Sequence, residues 1–309
     1  MSAVLNIVLP VFGVILAGVL SRKTGLLGED SAEALNKFVF FIALPPLLFL
    51  SCARVPLNEI LNWPFLATYS AGIVLTLIIG LSGARRLFQQ TDLAVLTLHG
   101  MSLVFSNTVY LGIPLLILAY GPTGATPAVI ITLLTNLVFL TLSAVLIEST
   151  RKNHNSSNFS LLTSSFKNPL IVSPVLGVLF SWSGLTLYAP LENFLDLLGR
   201  GAGSAALFAM GMSLYGFSVT AGVREISWVL IIKLLLHPLL TWMFGRYVFK
   251  LDDFWLESAV ILAALPAGAL IFVVAQRYNV YVQRAAASVV MTTAISVVTL
   301  TLVFLWAGQ

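Results

Sequence analysis

Two stretches of the sequence place polar or helix-weakening residues inside otherwise apolar segments. These stretches contain the side chains best suited to binding chemistry. The first stretch reads FSNTVYLGIPLL at residues 105–116, and its polar or helix-weakening residues are Asn107, Thr108, Gly112 and Pro114. An asparagine amide both donates and accepts hydrogen bonds, so Asn107 suits a carboxylate or the backbone exposed at a helix break. We expect Asn107 to contact a ligand, and capping of the following helix is a compatible role.

The second stretch reads ILAALPAGALIFVVAQRYN at residues 261–279, with Pro266, Ala267 and Gly268 near its middle. Where a helix is interrupted, the next half-helix begins with unpaired N–H groups and a partial positive charge. Two such ends facing each other would favour an anionic group without placing a full charge in lipid. The alternative interpretation is a simple proline kink in each helix.

Two ionisable side chains inside an apolar segment are candidates for charge compensation or proton coupling. Lys233 and His237 are four residues apart and therefore share one helix face. A histidine titrates near physiological pH, so His237 could carry a coupling proton. The alternative is a lysine that reaches the membrane surface beside a hydrogen-bonded, structural histidine.

The composition places these residues in a membrane protein. Of 309 residues, 59% are hydrophobic and 9% are charged, against about 25% charged in soluble domains. Because the apolar runs are unbroken rather than alternating, we predict an all-α integral membrane protein. The single Cys52 excludes a disulfide within the chain, and the net charge of +4 indicates topology rather than nucleic-acid binding.

Ten apolar segments each approach the roughly 20 residues that a bilayer requires. Together they predict ten transmembrane helices, at about 3–21, 34–52, 64–82, 93–119, 126–147, 168–184, 192–217, 226–248, 254–276 and 281–306.

The distribution of Lys and Arg predicts the orientation. With both termini outside, ten basic residues fall in cytoplasmic loops: Arg22, Lys23, Arg85, Arg86, Arg151, Lys152, Lys167, Arg224, Arg277 and Arg284. Only three fall in external loops: Arg54, Arg246 and Lys250. We therefore predict a multi-pass protein with external termini.

A polar segment halfway along the chain indicates two halves. We predict a first five-helix repeat at 1–147, a cytoplasmic linker at 148–168 and a second repeat at 169–309. The segments LPVFGVIL at 9–16 and SPVLGVLF at 173–180 are similar in sequence. An odd number of helices per half inverts the second repeat, which is the architecture of secondary transporters with a site at the midplane.

Several sequence motifs resemble those of the auxin efflux carrier family. This family includes plant PIN-formed auxin exporters and bacterial permeases often described as malonate or malate transporters. The motifs are NTVYLGIPLL, LPAG followed by VVAQRYNV, NKFVFFIALPPLLF and, for the bacterial branch, KLLLHPLL. The resemblance runs the length of the chain. It implies two inverted five-helix repeats in which helices 4 and 9 are broken and cross at the midplane.

The resemblance also implies roles for individual helices and residues. Helices 1, 2, 6 and 7 would form a scaffold that dimerises through helices 2 and 7, and helices 3–5 and 8–10 would form a moving transport unit. Thr135 and Asn136 lie where the family has a polar site residue, with an interhelical hydrogen bond as the alternative. Leu48 and Ser51 would lie on the scaffold side of the pocket.

The chain departs from the plant relatives in two places. Ile271 replaces a second proline after LPAG, and the third helix, FLATYSAGIVLTLIIGL, has no charged pair. A bacterial-type carboxylate is therefore a better substrate hypothesis than auxin. Span eight, the inverted counterpart of the third helix, instead contains the pair Lys233 and His237.

The predicted function is secondary transport of small organic anions by an elevator-type alternating-access mechanism, in a bacterial inner membrane. No catalytic constellation, cofactor motif or GxxxxGK[ST] phosphate loop occurs in the sequence, so we expect neither an enzyme nor an ATP-driven pump. A membrane sensor or a channel built on the same fold is the alternative.

Overall fold

The computed structural model describes residues 2–54, 61–150, 169–216 and 222–308. Most of the predicted linker, 151–168, lies outside these ranges, as do the side chains of Ser51 and Asn136 within their helices. The described residues are helices and their connections, and the extended backbone among them is limited to one isolated bridge.

Seven α-helices lie in the described residues of the first half of the chain. They are α1 (Ser2–Lys23), α2 (Glu29–Phe38), α3 (Leu44–Ala53), α4 (Trp63–Phe88), α5 (Leu93–Val104), α6 (Ile113–Tyr120) and α7 (Ala125–Ser149). A π-helical segment, Val39–Ala43, joins α2 to α3, and another, Thr108–Gly112, leads directly into α6.

Eight α-helices lie in the second half within the ranges 169–216 and 222–308. They are α8 (Pro169–Ser183), α9 (Ala189–Arg200), α10 (Ala202–Leu214), α11 (Val223–Ile231), α12 (His237–Met243), α13 (Asp253–Ala264), α14 (Leu270–Tyr278) and α15 (Val282–Trp306). The π-helical segment Ile232–Leu236 joins α11 to α12, so the helical path is continuous there.

Within the described ranges, five continuous helical stretches are long and apolar enough to cross a membrane. They are Glu29–Leu50, Trp63–Phe88, Thr108–Thr135, Val223–Val248 and Val282–Trp306. Large apolar side chains are exposed along these stretches, for example Ile78 and Leu302. An all-helical chain with such stretches and such a surface is an integral membrane protein.

The first interruption lies earlier than the proline pattern suggests. The α-helix ends at Val104, and residues 105–107 are not helical. Pro114, seven residues after Asn107, lies inside the helical run that follows, at the second position of α6. Pro114 therefore does not mark the non-helical residues, and the π-helical segment before it accommodates its missing N–H.

The second interruption coincides with its proline. α13 ends at Ala264 and α14 begins at Leu270, so Pro266 and Gly268 lie in the non-helical segment between them. A further interruption, at Gly201, divides the predicted seventh span into α9 and α10.

Three π-helical segments each precede a proline in the same helical run: Val39–Ala43 before Pro45, Thr108–Gly112 before Pro114, and Ile232–Leu236 before Pro238. Proline has no N–H to donate to the preceding turn, and the wider π turn accommodates this loss without ending the helix.

Close helix pairs connect the two halves. α1 packs on α10, and α3 packs on α8 and α9. At the α1–α10 contact, Gly18 faces the Phe208 carbonyl and Gly211 faces the Ile15 carbonyl, with no space for a Cβ at either glycine. Small residues that bring two backbones into contact are a usual means of helix association in membranes.

Candidate functional site

The two interrupted segments pair with each other through their backbones. The Asn107 N–H donates to the Pro266 carbonyl oxygen at 2.9 Å, and the Gly268 N–H donates to the Phe105 carbonyl oxygen at 2.9 Å. These bonds form an antiparallel bridge between Ser106 and Ala267. Each break therefore satisfies polar groups that the other exposes, as an apolar surrounding requires.

Residues 105–107 and 265–269, paired in this way, are called the crossing below. Side chains from neighbouring helices satisfy other polar groups there. Thr292 of α15 accepts a hydrogen bond from the Ala267 N–H at 3.0 Å. Thr132 of α7 donates its hydroxyl to Thr108 Oγ1 at 2.8 Å. The paired segments are thus fixed from α7 and from α15.

Asn107 does not cap the following helix with its side chain, so the capping role considered from the sequence is wrong. Its backbone carbonyl instead accepts from the N–H groups of Leu111 and Gly112 at 3.2 and 3.0 Å. The side-chain amide Nδ2 donates to the sulfur of Met210 at 3.1 Å.

A fully buried lysine contacts the crossing from the other side. Lys233 Nζ donates to Ser106 Oγ at 2.7 Å and to the Ala263 carbonyl oxygen at 2.8 Å, and it lies 3.1 Å from His237 Nδ1. Within the described ranges no carboxylate forms an ion pair with it. Because Ala263 is near the C-terminus of α13, the ammonium meets the negative end of that helix dipole.

The neighbours of Lys233 form one consistent hydrogen-bond chain. Ser106 Oγ lies 3.1 Å from Tyr69 Oη, and Tyr69 donates to the Leu262 carbonyl at 3.4 Å. If Lys233 is charged, His237 Nδ1 must accept, so Nε2 carries the imidazole proton. That buried Nε2 has no partner in the part of the chain that is described.

A cleft of about 870 Å³ leads from the protein surface to the crossing. Its floor includes Ser106, Asn107, Thr108 and Gly268. Its walls are rich in aromatic residues: Phe40, Phe41, Phe105, Tyr110, Tyr215 and Phe272. A site with apolar walls and a few polar groups at one end is the usual form of a small-molecule site.

The mouth of the cleft is charged, and it lies at the connection between α1 and α2. Arg22 pairs with Glu29 at 3.2 Å, and Lys37 pairs with Glu33 at 2.6 Å. All four residues line the cleft. Exposed pairs of this kind contribute little to stability, so both cations can exchange partners with an entering anion at small cost.

Of the site residues predicted from the sequence, Asn107, Thr108 and Gly268 line the cleft, and Pro266 and Ala267 take part in the backbone pairing behind it. Lys233 and His237 lie behind the floor and do not line the cleft.

Four other predicted residues have packing or hydrogen-bond contacts away from the cleft. Gly112 packs against Leu265, where a Cβ would lie 2.8 Å from the leucine Cδ1. Pro114 lies against Gly203 of α10, and Leu48 is fully buried in the core. Thr135 is buried and donates to the carbonyl of Ile131 one turn earlier. None of the four lines the cleft.

Three further polar residues, His99, Asp196 and Arg200, have partners in the structure. His99 Nδ1 lies 2.9 Å from Tyr281 Oη. Asp196 pairs with Arg200 at 2.6 Å and with Arg54 of α3 at 3.7 Å. Arg54 therefore connects the Asp196–Arg200 pair to a neighbouring helix.

The structure adds four residues to the candidate site that the sequence did not single out: Tyr69, Ser106, Met210 and Thr292. Ser106 precedes Asn107 in the FSNT phrase, and Tyr69 is the largest polar side chain near the middle of the third predicted span, so weak signals existed for both. Met210 and Thr292 give no signal, because a methionine or threonine in an apolar helix is ordinary.

Comparisons with known proteins agree on the class of protein. The membrane transport protein family matches residues 3–304. The chain is 30% identical to a Rhizobium meliloti (strain 1021) protein named "Putative malonate transporter", over 97% of this chain and 95% of that one. It is 29% identical to the transporter YfdV of Escherichia coli (strain K12), over 94% and 93%.

A more distant relative is a transporter of Methanothermobacter thermautotrophicus, which is 26% identical over 96% of this chain and 95% of its own length. The similarity therefore covers whole chains rather than one shared segment. Together with the family match, it shows that this chain belongs to the membrane transport protein family, of the auxin efflux carrier type.

Proposed function

We propose that this protein is a secondary transporter of small organic anions, with malonate and related carboxylates as the first candidates. The observation that carries the proposal is a deep cleft that ends on two paired helix breaks, with Asn107 and Thr108 in its floor. The name of the Rhizobium meliloti relative supports the carboxylate class.

The electrostatics of the crossing favour an anion. The helical run that starts at Thr108 and the helix that starts at Leu270 both begin beside the cleft, and helix N-termini attract negative charge. A protonated Lys233 would add a full positive charge behind Ser106. An anion bound at Asn107 would meet two partial charges directly and one full charge through the floor.

We further propose ten membrane spans in two inverted repeats, 1–147 and 169–309, joined by the 148–168 linker. The paired interruptions of α5–α6 and α13–α14 support this arrangement, because they occur at equivalent places in the two halves. The close packing of α1 on α10 and of α3 on α8 supports a scaffold of helices 1, 2, 6 and 7. An elevator-type motion would carry the crossing past this scaffold.

With both termini outside the inner membrane, the mouth of the cleft at Arg22 would face the cytoplasm. The charge bias of the loops supports this orientation. The proposed transporter would then be open to the cytoplasm in the arrangement described here.

Lys233 and His237 are proposed to couple charge or a proton to transport. Two adjacent cations repel each other, so the pair holds one proton more readily than two. A proton arriving at His237 would therefore weaken the hydrogen bonds that Lys233 donates to Ser106 and to the Ala263 carbonyl at the crossing.

A homodimer through predicted helices 2 and 7 is a further part of the proposal. Part of predicted helix 7, α9, exposes Leu191, Phe194 and Leu197 in a stripe three residues apart. Such a stripe supports contact with a second copy within the bilayer. Cross-linking of a Leu197→Cys variant in membranes tests this point, because dimer formation would give a covalent pair.

The proposed function is tested by uptake of radiolabelled malonate into proteoliposomes that contain the purified protein. Asn107→Ala removes the only polar group of this side chain, and we expect the KM to rise about tenfold or more. Asn193→Ala is the matched control, because Asn193 is an exposed residue of α9 outside the cleft.

Saturable uptake that is weakened in the Asn107 variant and unchanged in the Asn193 variant would support the proposal. Absence of uptake and of binding for malonate, malate and other small carboxylates would contradict the transport of organic anions. Wild-type kinetics in Asn107→Ala would remove this residue from the site.

A further inference from the structure

Asn107 and Met210 meet at the floor of the cleft. Asn107 Nδ2 lies 3.1 Å from Met210 Sδ, and both residues are 3% exposed. Both also line the cleft. A thioether sulfur is a weak acceptor. An oxygen acceptor would therefore form a stronger hydrogen bond with the Asn107 amide than the Met210 sulfur does.

The contact joins two different parts of the protein. Met210 belongs to α10, which packs closely on α1, whereas Asn107 belongs to the paired breaks. A methionine side chain is unbranched and adapts to its surroundings more easily than other apolar side chains. It can therefore withdraw from Asn107 without displacing α10.

We propose that Met210 is a specificity-determining residue: its thioether orients the Asn107 amide in the present arrangement and yields it to a substrate carboxylate. This inference rests on the proposed function, because it requires that an anion enters the cleft. A hydrogen bond to a carboxylate is shorter and stronger than one to a neutral acceptor. Replacement of the Met210 sulfur by a ligand acceptor at Asn107 therefore favours anions. A neutral molecule of the same size gains little binding energy from this replacement.

Two substitutions separate this role from simple packing. Met210→Gln has a similar length but offers an amide oxygen, which would compete with the substrate for the Asn107 donor. We expect its Kd for malonate to rise about tenfold, since one neutral hydrogen bond must be given up. Met210→Leu keeps the apolar volume and removes the acceptor, and we expect its Kd to stay within about threefold of wild type or to fall.

The experiment is a malonate titration of the full chain in detergent micelles, with the methionine methyl groups labelled with carbon-13. The chain has six methionines, and the Met210 signal is assigned by its loss in Met210→Leu. We expect malonate to shift this signal and malonamide, the neutral analogue, to leave it in place. Met243 is 45% exposed and does not line the cleft, so its signal is the internal reference and Met243→Leu is the matched control.

Each result decides the question. A malonate-dependent shift of Met210, with weaker binding in Met210→Gln but not in Met210→Leu, supports the inference. If malonate binds the wild type while the Met210 signal does not move, or if both variants bind within threefold of wild type, the inference is wrong and the proposed function stands. If no carboxylate binds the wild type, the proposed function fails and the role of Met210 fails with it.

Discussion

Replacing Lys233 with methionine tests the charge at the crossing, and we expect the variant to remain folded. Methionine keeps an unbranched chain of similar length and removes the ammonium group. The Ala263 carbonyl and His237 Nδ1 lose the partner that they have in the structure, and each unsatisfied buried polar group costs about 1–3 kcal/mol. Against this, burial of an ammonium group costs several kcal/mol in the native protein.

These two contributions oppose each other, and Ser106 retains Tyr69 as a partner at 3.1 Å. We therefore expect the free energy of unfolding to change by less than about 2 kcal/mol in either direction. Lys233→Ala would be a poorer test, because it adds the cost of a cavity in a packed region.

The effect on anion binding follows from the position of the charge. Lys233 Nζ lies 2.7 Å from Ser106 Oγ, and Ser106 lines the cleft. A unit charge about 7 Å from the ammonium gains about 2 kcal/mol at an effective dielectric constant of about 20. Loss of that charge would weaken binding about 30-fold for a monoanion and about 1,000-fold for a dianion.

The assay compares two ligands on the same protein. Malonate at pH 7.5 is a dianion and its monomethyl ester is a monoanion of similar size. The Kd for each is measured on the wild type, on Lys233→Met and on Lys250→Met, and unfolding is followed by SDS titration in mixed micelles. Lys250 is the matched control, because it is exposed in the connection between α12 and α13.

The result that refutes this reasoning is an equal change for both ligands, since a lost charge must affect the dianion more. Binding that is unchanged for both would show that Lys233 does not contribute to anion affinity at all. A loss of more than about 4 kcal/mol in unfolding free energy would show instead that the lysine is mainly structural, as expected when one partner of a required buried network is removed.

Further substitutions test the coupling, the breaks and the orientation. His237→Gln keeps hydrogen-bonding capacity but cannot titrate near neutral pH, so it should flatten the pH dependence of transport while malonate binding is retained; an unchanged pH profile would make this histidine structural. Gly268→Ala would place a Cβ 2.7 Å from the Phe105 ring, so we expect about 1–3 kcal/mol of destabilisation by SDS titration, and wild-type stability would show that the ring can move aside. Pro266→Ala restores an N–H that favours a continuous helix, and a fall in uptake at least as large as that of Asn107→Ala is expected; full uptake would show that the break does not depend on the proline. Cysteines introduced at 153–160 should react with impermeant reagents only after the cytoplasmic side is exposed, against a low background because Cys52 is buried, and labelling in intact cells would reverse the orientation.

The sequence alone determined the class of protein and two of the segments in which helices are interrupted. A chain with 9% charged residues cannot be a soluble domain, and long unbroken apolar runs leave only helices in lipid. Sequence motifs around Asn107 and Pro266 identified the transporter family, and the family match confirmed this identification. These conclusions depend on composition and local pattern, which a sequence contains in full.

The sequence was less accurate about the cause of the first interruption. Pro114 and Gly112 suggested a break at their own positions, but the non-helical residues are 105–107. The π-helical segment before Pro114 accommodates the missing N–H inside the continuous helical run. The break in the backbone at Asn107 is stabilised by Pro266, which is 159 positions away in the chain.

Only the tertiary structure decided which groups meet at the crossing. The helix spacing predicted that Lys233 and His237 share a face, but the contacts of Lys233 with Ser106 and Ala263 join three distant parts of the chain. The partner of Asn107 could not be predicted either, because Met210 is an ordinary apolar residue in its own helix. A side chain in a helix has its neighbours three and four residues away fixed by the helix geometry, whereas its partners on other helices depend on how the whole bundle packs.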